Sequence, residues 1–236
     1  MNEQKKNKVL RVAGLALVLT LITTCLLAHT LAKYTTSVSG TDTARVAKWG
    51  WSATTTTDIF QTSYENSSSK LTVETNASDK IVAPGTSGEV TITPTGTSEV
   101  ATKLTYTVSE TNASGIPIIY EYDGKYYTSS TRYTADGSTQ YQMILANDGT
   151  TKTALALQNG GLTALQTALT AASTTIAPNA TVASTDSKTI KWYWAYEVYD
   201  AAGELITATD ISDTTLGSGG TATVKLNVGL TATQVD

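Results

Sequence analysis

The sequence predicts an all-β protein: an antiparallel, jelly-roll-like β sandwich with a short inserted helix, preceded by an N-terminal signal helix. Three observations favour this fold class. Threonine and serine take more than a quarter of the 236 positions, Val, Ile, Tyr and Trp recur in short alternating runs, and turn-forming residues separate these runs. Branched and flat side chains pack well on a pleated sheet, so this composition indicates many short strands joined by tight turns.

The first 32 residues have the three-part layout of a secretory signal peptide. Four basic residues precede an apolar run from Val12 to Ala28, and small residues then lead to a cleavage point between Ala32 and Lys33. The alternative is an uncleaved membrane anchor, which the threonines within the run disfavour. We expect a signal peptidase as a partner during export, and contact with the membrane only through an uncleaved leader.

The single cysteine and the single histidine, Cys25 and His29, both lie in this leader. A processed chain therefore has neither thiol nor imidazole, which excludes Ser-His-Asp and Cys-His catalysis, zinc sites with His or Cys ligands, and disulfides. We expect no enzymatic activity and no cofactor. The processed chain keeps 12 basic and 19 acidic residues without a basic patch, so we do not expect nucleic acid as a partner.

The mature chain, residues 33–236, is predicted to form one β-sandwich domain. A hairpin is expected around Asp123-Gly124, because this dipeptide suits a type I′ turn between the flanking runs 116–122 and 125–130. The other clear strands are expected at 89–95, 100–110, 188–200 and 221–235.

One segment breaks the strand pattern and predicts a helix at about residues 154–172. Leu162, Leu165 and Leu169 recur there at helical spacing, and Gly160-Gly161 interrupts the run and offers an alternative start for the helix. We interpret the surrounding region, 111–187, as an insertion into the β domain. The helix is expected to cap the core, with a binding lid as the alternative.

Carboxylates are the only catalytic groups left to the mature chain, and Asp210 with Asp213 is the one sensible pair. Short Asp-Ser-Thr-Gly runs are more often turns in which the carboxylate accepts backbone N–H groups, and we interpret this pair, and 217–220 after it, as turns. A calcium site there has little support, because the sequence lacks the D-x-[DN]-x-[DN]-G loop.

Aromatic residues offer a second kind of site. Tyr193 and Tyr199 are expected on the outer face of the strand 188–200, where, with Trp49 and Trp51, they present flat faces to sugar rings. The alternative is ordinary packing of half-buried aromatic side chains. This pattern supports a cell-surface adhesin or carbohydrate-binding module as the second hypothesis for function.

Five segments stand in a characteristic order along the chain. They are LAKYTTSVSGTDTARVAKWGW (31–51), IVAPGTSGEVTI (81–92), WYWAYEVYD (192–200), DTTLG (213–217) and TATQVD (231–236). In this order they resemble the TasA/camelysin-like family of Gram-positive exported proteins, whose signal peptides are handled by a SipW-type peptidase. The similarity covers residues 8–110 and 188–236.

The resemblance implies a jelly-roll-like sandwich that is secreted to the extracellular matrix or cell surface of a Gram-positive bacterium. It implies polymerisation into biofilm-matrix fibres, with the mature N-terminal segment added as a strand to a neighbouring copy, and other matrix proteins as possible further partners. The protease activity described for camelysins does not carry over, since the sequence has no H-E-x-x-H motif.

The assembly segment is therefore expected within the extended residues 33–53. A sheet edge with unpaired N–H and C=O groups is a template for such a strand. The alternative is that the segment completes its own sheet as an ordinary first strand. The residues expected to mediate assembly are Tyr34, Thr36, Val38, Val46, Trp49 and Trp51.

Overall fold

The computed structural model describes residues 3–32, 44–55, 59–65, 72–75, 78–133, 140–145 and 151–235. In chain order the elements are α1 (Glu3–Ala32), β1 (Trp49–Thr55), β2 (Ser63–Glu65), β3 (Thr72–Glu74), β4 (Ser87–Ser98), β5 (Thr102–Thr111), β6 (Ile118–Tyr122), β7 (Lys125–Thr128), β8 (Gln140–Ile144), β9 (Thr153–Ala156), α2 (Gly161–Ala171), β10 (Thr174–Ile176), a 3₁₀ turn (Ser184–Asp186), β11 (Lys188–Trp194), β12 (Glu197–Tyr199), α3 (Thr207–Gly219) and β13 (Lys225–Gln234).

The chain divides into two units, Met1–Val46 and Ala47–Asp236. In the first unit, α1 covers the predicted signal segment, and its residues Asn7–Thr24 have a mean hydropathy of 1.4, long and apolar enough to cross a membrane. Threonine hydroxyls inside this helix donate to carbonyls one turn earlier, as Thr20 does to Ala16 O at 2.8 Å. Because these polar groups are satisfied within the helix, α1 is compatible with a signal peptide or with a membrane anchor.

The second unit is mostly β, as the sequence predicts, and is built from antiparallel sheets. The largest has the strand order β1-β4-β11-β6-β7, and a three-stranded sheet has the order β10-β5-β13. The predicted hairpin joins β6 to β7, with Asp123 and Gly124 both at positive φ (52° and 68°) as a type I′ turn requires. Alternation along β4, β5 and β11 sends one set of side chains inward, so these two sheets pack face to face.

The main core lies between these two sheets. Its largest fully buried side chains are Trp192 from β11, Tyr120 from β6 and Tyr106 from β5. The ring nitrogen of Trp192 donates to Ile59 O at 2.7 Å, which fastens the segment before β2 to the core. The Tyr106 hydroxyl donates to Asp186 O. The polar tips of these aromatic residues are therefore bonded while their rings are buried.

A third sheet, β12-β8-β9, covers a second hydrophobic cluster on the other side of β6. The predicted single strand 188–200 is wrong at this point, because it breaks into β11 and β12. Trp194 is buried in the first cluster and the adjacent Ala195 in the second. These two side chains point to opposite faces, so the alternation continues as far as Ala195. It ends at Tyr196, which is expected inside but is 38% exposed, and Val198 is buried in the second cluster and not in the first.

The inserted helix begins later than the expected residue 154. Residues Thr153–Ala156 form β9, and α2 begins at Gly161. Gly160 and Gly161 have positive φ of 88° and 51°, and a Cβ on Gly161 would lie 2.5 Å from Thr128 O. The chain thus needs two glycines to turn from β9 into α2, which matches the alternative start within the sequence pattern.

The turns expected around Asp210 and at 217–220 are wrong, because residues Thr207–Gly219 form α3. The side chains that α3 directs inward are half-buried and recur at helical spacing, at Thr209, Ser212, Asp213 and Leu216. Three of these four are polar, so hydrophobic periodicity does not reveal the helix. Thr, Ser, Gly and Asp are also weak helix formers, and tertiary contacts decide the outcome.

Candidate functional site

The predicted assembly residues fall into two groups. Tyr34, Thr36 and Val38, and also Lys33 at the predicted cleavage point, lie outside the described residues. Val46 is 90% exposed. Trp49 and Trp51 belong to β1, while Ala32 is the last residue of α1. Within the segment 33–53, the structure therefore describes the C-terminal part, which contains the two tryptophans.

Strand β1 completes its own sheet, which is the alternative interpretation of this part of the segment. It pairs antiparallel with β4 over seven residues, from Trp49 opposite Ser98 to Thr55 opposite Ile92. It is the edge strand of the five-stranded sheet. Residues from Trp49 onward are thus already hydrogen-bonded, and a segment donated to another copy must come from residues before Trp49.

The core-facing side of β1 is largely uncovered. Cross-strand pairing puts Trp49, Ala53 and Thr55 on the same face as the buried residues Pro94 and Ile92 of β4. All three β1 residues are nevertheless exposed, with Trp49 at 47%. The facing sheet has three strands against five.

Trp51 is the one β1 side chain that reaches the opposite sheet. It is half-buried against the main core, and its ring nitrogen donates to Thr102 Oγ1 at 3.0 Å. Thr102 begins β5 and is completely buried. This bond ties the edge strand β1 to the second sheet at one end of the uncovered face.

Strand β13 borders the same uncovered face with a free edge. It pairs with β5 over all ten residues on one side, and within the described part of the chain no strand pairs with its other side. Its inward residues Val228, Leu230 and Ala232 touch the core but are only partly buried. We call the core-facing side of β1 together with the free edge of β13 the open side.

A cavity of about 570 Å³ lies at the end of the molecule where β13 begins. Trp194 and Ile116 of the core contribute to its wall, as do Leu216 of α3 and Phe60. Val224, another wall residue, directly precedes β13. The free edge of β13 thus begins beside a cavity whose wall mixes apolar side chains with polar ones such as Asp79 and Lys80, and whose size accommodates bulky side chains or small ligands.

The two aromatic residues predicted to face a ligand are engaged within the chain. The Tyr193 hydroxyl donates to Glu121 Oε2 at 2.7 Å, and burial together with Glu121 raises the pKa of Tyr193. The Tyr199 hydroxyl donates to the Glu197 carboxylate, and Lys152 Nζ lies 3.5 Å from the centre of the Tyr199 ring. A sugar that stacks on that face of Tyr199 must first displace Lys152.

The carboxylate pair is divided between two environments. Asp213 accepts hydrogen bonds from Arg132 Nη1 and from Trp194 Nε1, the latter at 3.3 Å, whereas Asp210 is exposed on α3. Burial raises the pKa of Asp213, against the opposing effect of Arg132. Asp213 therefore anchors α3. Among the described residues, no group of three His, Cys, Asp or Glu side chains is arranged to hold a metal ion.

The open side is a feature that sequence reasoning does not locate. Alternation identifies β13 and the extended character of residues 49–55, but it does not say which strands are edges or which inward faces lack a facing strand. No single residue signals it. The mismatch of five strands against three appears only once the sheets are assembled.

No family model, no curated protein and no solved structure matches this chain in the comparisons made.

Proposed function

We propose that this protein is a secreted structural protein of a Gram-positive extracellular or biofilm matrix, with a jelly-roll-like sandwich that assembles into fibres. Its N-terminal segment, freed by cleavage between Ala32 and Lys33, adds as a strand to the open side of a neighbouring copy. The observation that carries this proposal is the uncovered core-facing side of β1 beside the free edge of β13. The proposal makes the chain its own partner, with other matrix proteins as further ones.

The dimensions of the open side support one added strand. Strand β13 has ten residues, which corresponds to about 33 Å at the usual rise of a strand. The segment 33–43 has a similar length when extended. A strand hydrogen-bonded to β13 sends alternate side chains over β1, and Tyr34, Thr36 and Val38 alternate in this way. Such a strand would cover Trp49 and Ala53 and satisfy the free backbone groups of β13.

The direction of growth follows from the positions of the donor and the acceptor. The donor segment before Trp49 and the open side are different parts of the chain, so a copy can donate to one neighbour and accept from another. Head-to-tail contacts of this kind do not close on themselves unless the rotation between copies allows it, and they generate filaments. The apolar helix α1, compatible with a signal peptide, supports export as the step that precedes assembly.

The test is deletion of residues 33–40 from the exported chain, with electron microscopy of the purified protein. We expect filaments from the parent chain and none from the deletion variant, with unchanged circular dichroism because β1 begins only at Trp49. A peptide with the sequence of the deleted residues 33–40 should bind to the deletion variant. Filaments from the deletion variant would contradict strand donation. A parent chain that stays monomeric would indicate that the segment covers the open side of its own copy.

The alternative, a surface adhesin or carbohydrate-binding module, is tested with the same preparations. Binding on a glycan array that is lost in Tyr199→Ala, combined with a parent chain that forms no filaments, would favour the adhesin. The engagement of Tyr193 and Tyr199 by Glu121, Glu197 and Lys152 supports assembly over sugar binding.

A further inference from the structure

Strand β5, at the centre of the three-stranded sheet, has a second side that a strand could pair with. On one side it pairs with β13 throughout, and on the other it pairs with β10 only over Thr102–Leu104. The remaining positions on that side, from Tyr106 onward, face α2 instead of a strand. A backbone edge of this kind usually remains open to strand pairing unless something covers it.

Gln166 of α2 covers this edge with its side-chain amide. Its Oε1 accepts the Val108 N–H at 2.7 Å, and its Nε2 donates to Tyr106 O at 3.2 Å. One donor and one acceptor are thus presented to alternate residues of β5, as the peptide groups of a neighbouring antiparallel strand would do. Nε2 also donates to Thr170 Oγ1 at 2.9 Å, which holds the amide in place.

The rest of α2 keeps Gln166 at this position. Leu165 and Leu169 are completely buried in the main core, on the helix face next to Gln166. The helix is followed almost directly by β10, which pairs with the first residues of β5. The side of β5 opposite β13 is therefore closed by β10 and then by Gln166.

We infer that α2 acts as a substitute strand, through Gln166, that restricts strand addition in the three-stranded sheet to β13. This inference rests on the proposed assembly and adds its regulation. The three-stranded sheet accepts one donor strand, at β13, so that it does not start a second filament. It also assigns a role to the helix within residues 111–187. The partner that the closed edge excludes is the donor segment of a second copy.

The experiment compares Gln166→Ala with Thr167→Ala in the exported chain. Thr167 is the next residue of the same helix, is exposed and bonds only within α2, to Thr163 O at 2.8 Å. Both substitutions introduce alanine, the best helix former, into α2. Only Gln166→Ala leaves Val108 N–H and Tyr106 O without their hydrogen-bond partner. Gln166→Gly and Thr167→Gly form a second matched pair, which also loosens the helix.

We expect the Val108 amide to exchange with solvent at least about tenfold faster in both Gln166 variants than in the Thr167 variants. Electron microscopy should show paired or branched filaments in the Gln166 variants alone. Unchanged exchange at Val108, or faster exchange with filaments of unchanged width and branching, would overturn the inference.

If the parent chain forms no filaments, the proposed function fails and the inference is still decided by sedimentation. Dimers of Gln166→Gly beside monomers of the parent and of Thr167→Gly would support a closed edge. Monomers in all three would overturn it.

Discussion

Arg132 and Asp213, 81 positions apart, form an ion pair that joins the turn after β7 to the middle of α3. Both side chains are largely buried, at 18% and 10% exposed. The second carboxylate oxygen of Asp213 accepts the ring N–H of Trp194 at 3.3 Å. None of the described side chains of α3 is fully buried, so this pair is the main polar attachment of a helix with weak intrinsic propensity.

Replacing Arg132 should release α3 locally. Arg132→Gln leaves the Asp213 carboxylate without its charge partner, which costs about 1–3 kcal/mol of helix attachment. Hydrogen exchange of residues 207–219 should become faster while β11 keeps its protection. Lys191→Gln is the control, because it removes a more exposed pair, with Glu121 at 3.5 Å. Equal exchange of 207–219 in both variants would contradict this assignment.

The ionisation of Asp213 should oppose folding as the pH rises. Burial raises its pKa above the ordinary 3.8, with Asp210 adding repulsion, against the opposing effects of Arg132 and Trp194. An acid with a raised pKa in the folded state binds its proton more tightly when folded. Its contribution to stability is therefore present below the unfolded pKa and is lost as pH rises through the folded pKa.

Asp213→Asn removes this titration. We expect the free energy of unfolding of the parent chain, relative to that of the variant, to fall between about pH 3 and pH 6 in urea titrations. All other carboxylates are common to both proteins, so their contributions cancel in the difference between the two free energies of unfolding. A difference that is constant, or that grows with pH, would show that Arg132 outweighs burial.

Proline on β13 should block the acceptor without breaking the sheet. Val235 N donates to Ala101 O at 2.9 Å, on the side of β5. Since N–H groups of successive residues alternate between the two sides of a strand, that of Ala232 points to the free edge. Ala232→Pro removes only this free donor, as edge strands tolerate. We expect filament growth to stop with little change in thermal unfolding, whereas Ala232→Val should still form filaments.

Gly88 should be intolerant of a side chain. A Cβ there would lie 2.8 Å from Nε1 of Trp192 and 3.1 Å from Ile59 O, the two partners of a partly buried hydrogen bond. Gly88→Ala should therefore lower the free energy of unfolding by about 1–3 kcal/mol. Gly217→Ala is the matched change in open space within α3 and should stabilise by up to about 1 kcal/mol. Urea titration measures both.

The sequence predicts those elements whose pattern depends on local chemistry. Alternation locates β4 and β5, and Asp123-Gly124 locates the hairpin because its two residues accept positive φ. Prediction from the sequence fails where contacts between distant residues determine the secondary structure. The helix α3 is attached to the rest of the fold by Asp213, which accepts from Arg132 and Trp194. Neither of these partners is visible in the local sequence pattern.

In the candidate site, too, the sequence predicts the features that depend on local chemistry and not those that depend on distant contacts. The extended character of residues around Trp49 is readable from the sequence, and so is their role as a strand. That this strand is an edge with its inner face uncovered depends on the width of the opposite sheet. Gln166 is a polar residue on a helix facing β5, and only the assembled structure shows that it replaces a strand.

All four tryptophans lie in the five-stranded sheet, two in β1 and two in β11. The β11 pair, Trp192 and Trp194, is buried, whereas Trp49 is nearly half exposed on the open side. Intrinsic fluorescence therefore contains two signals that can be separated. Covering the open side shifts the emission of the β1 pair to shorter wavelength, while emission of the β11 pair moves to longer wavelength only when the core unfolds.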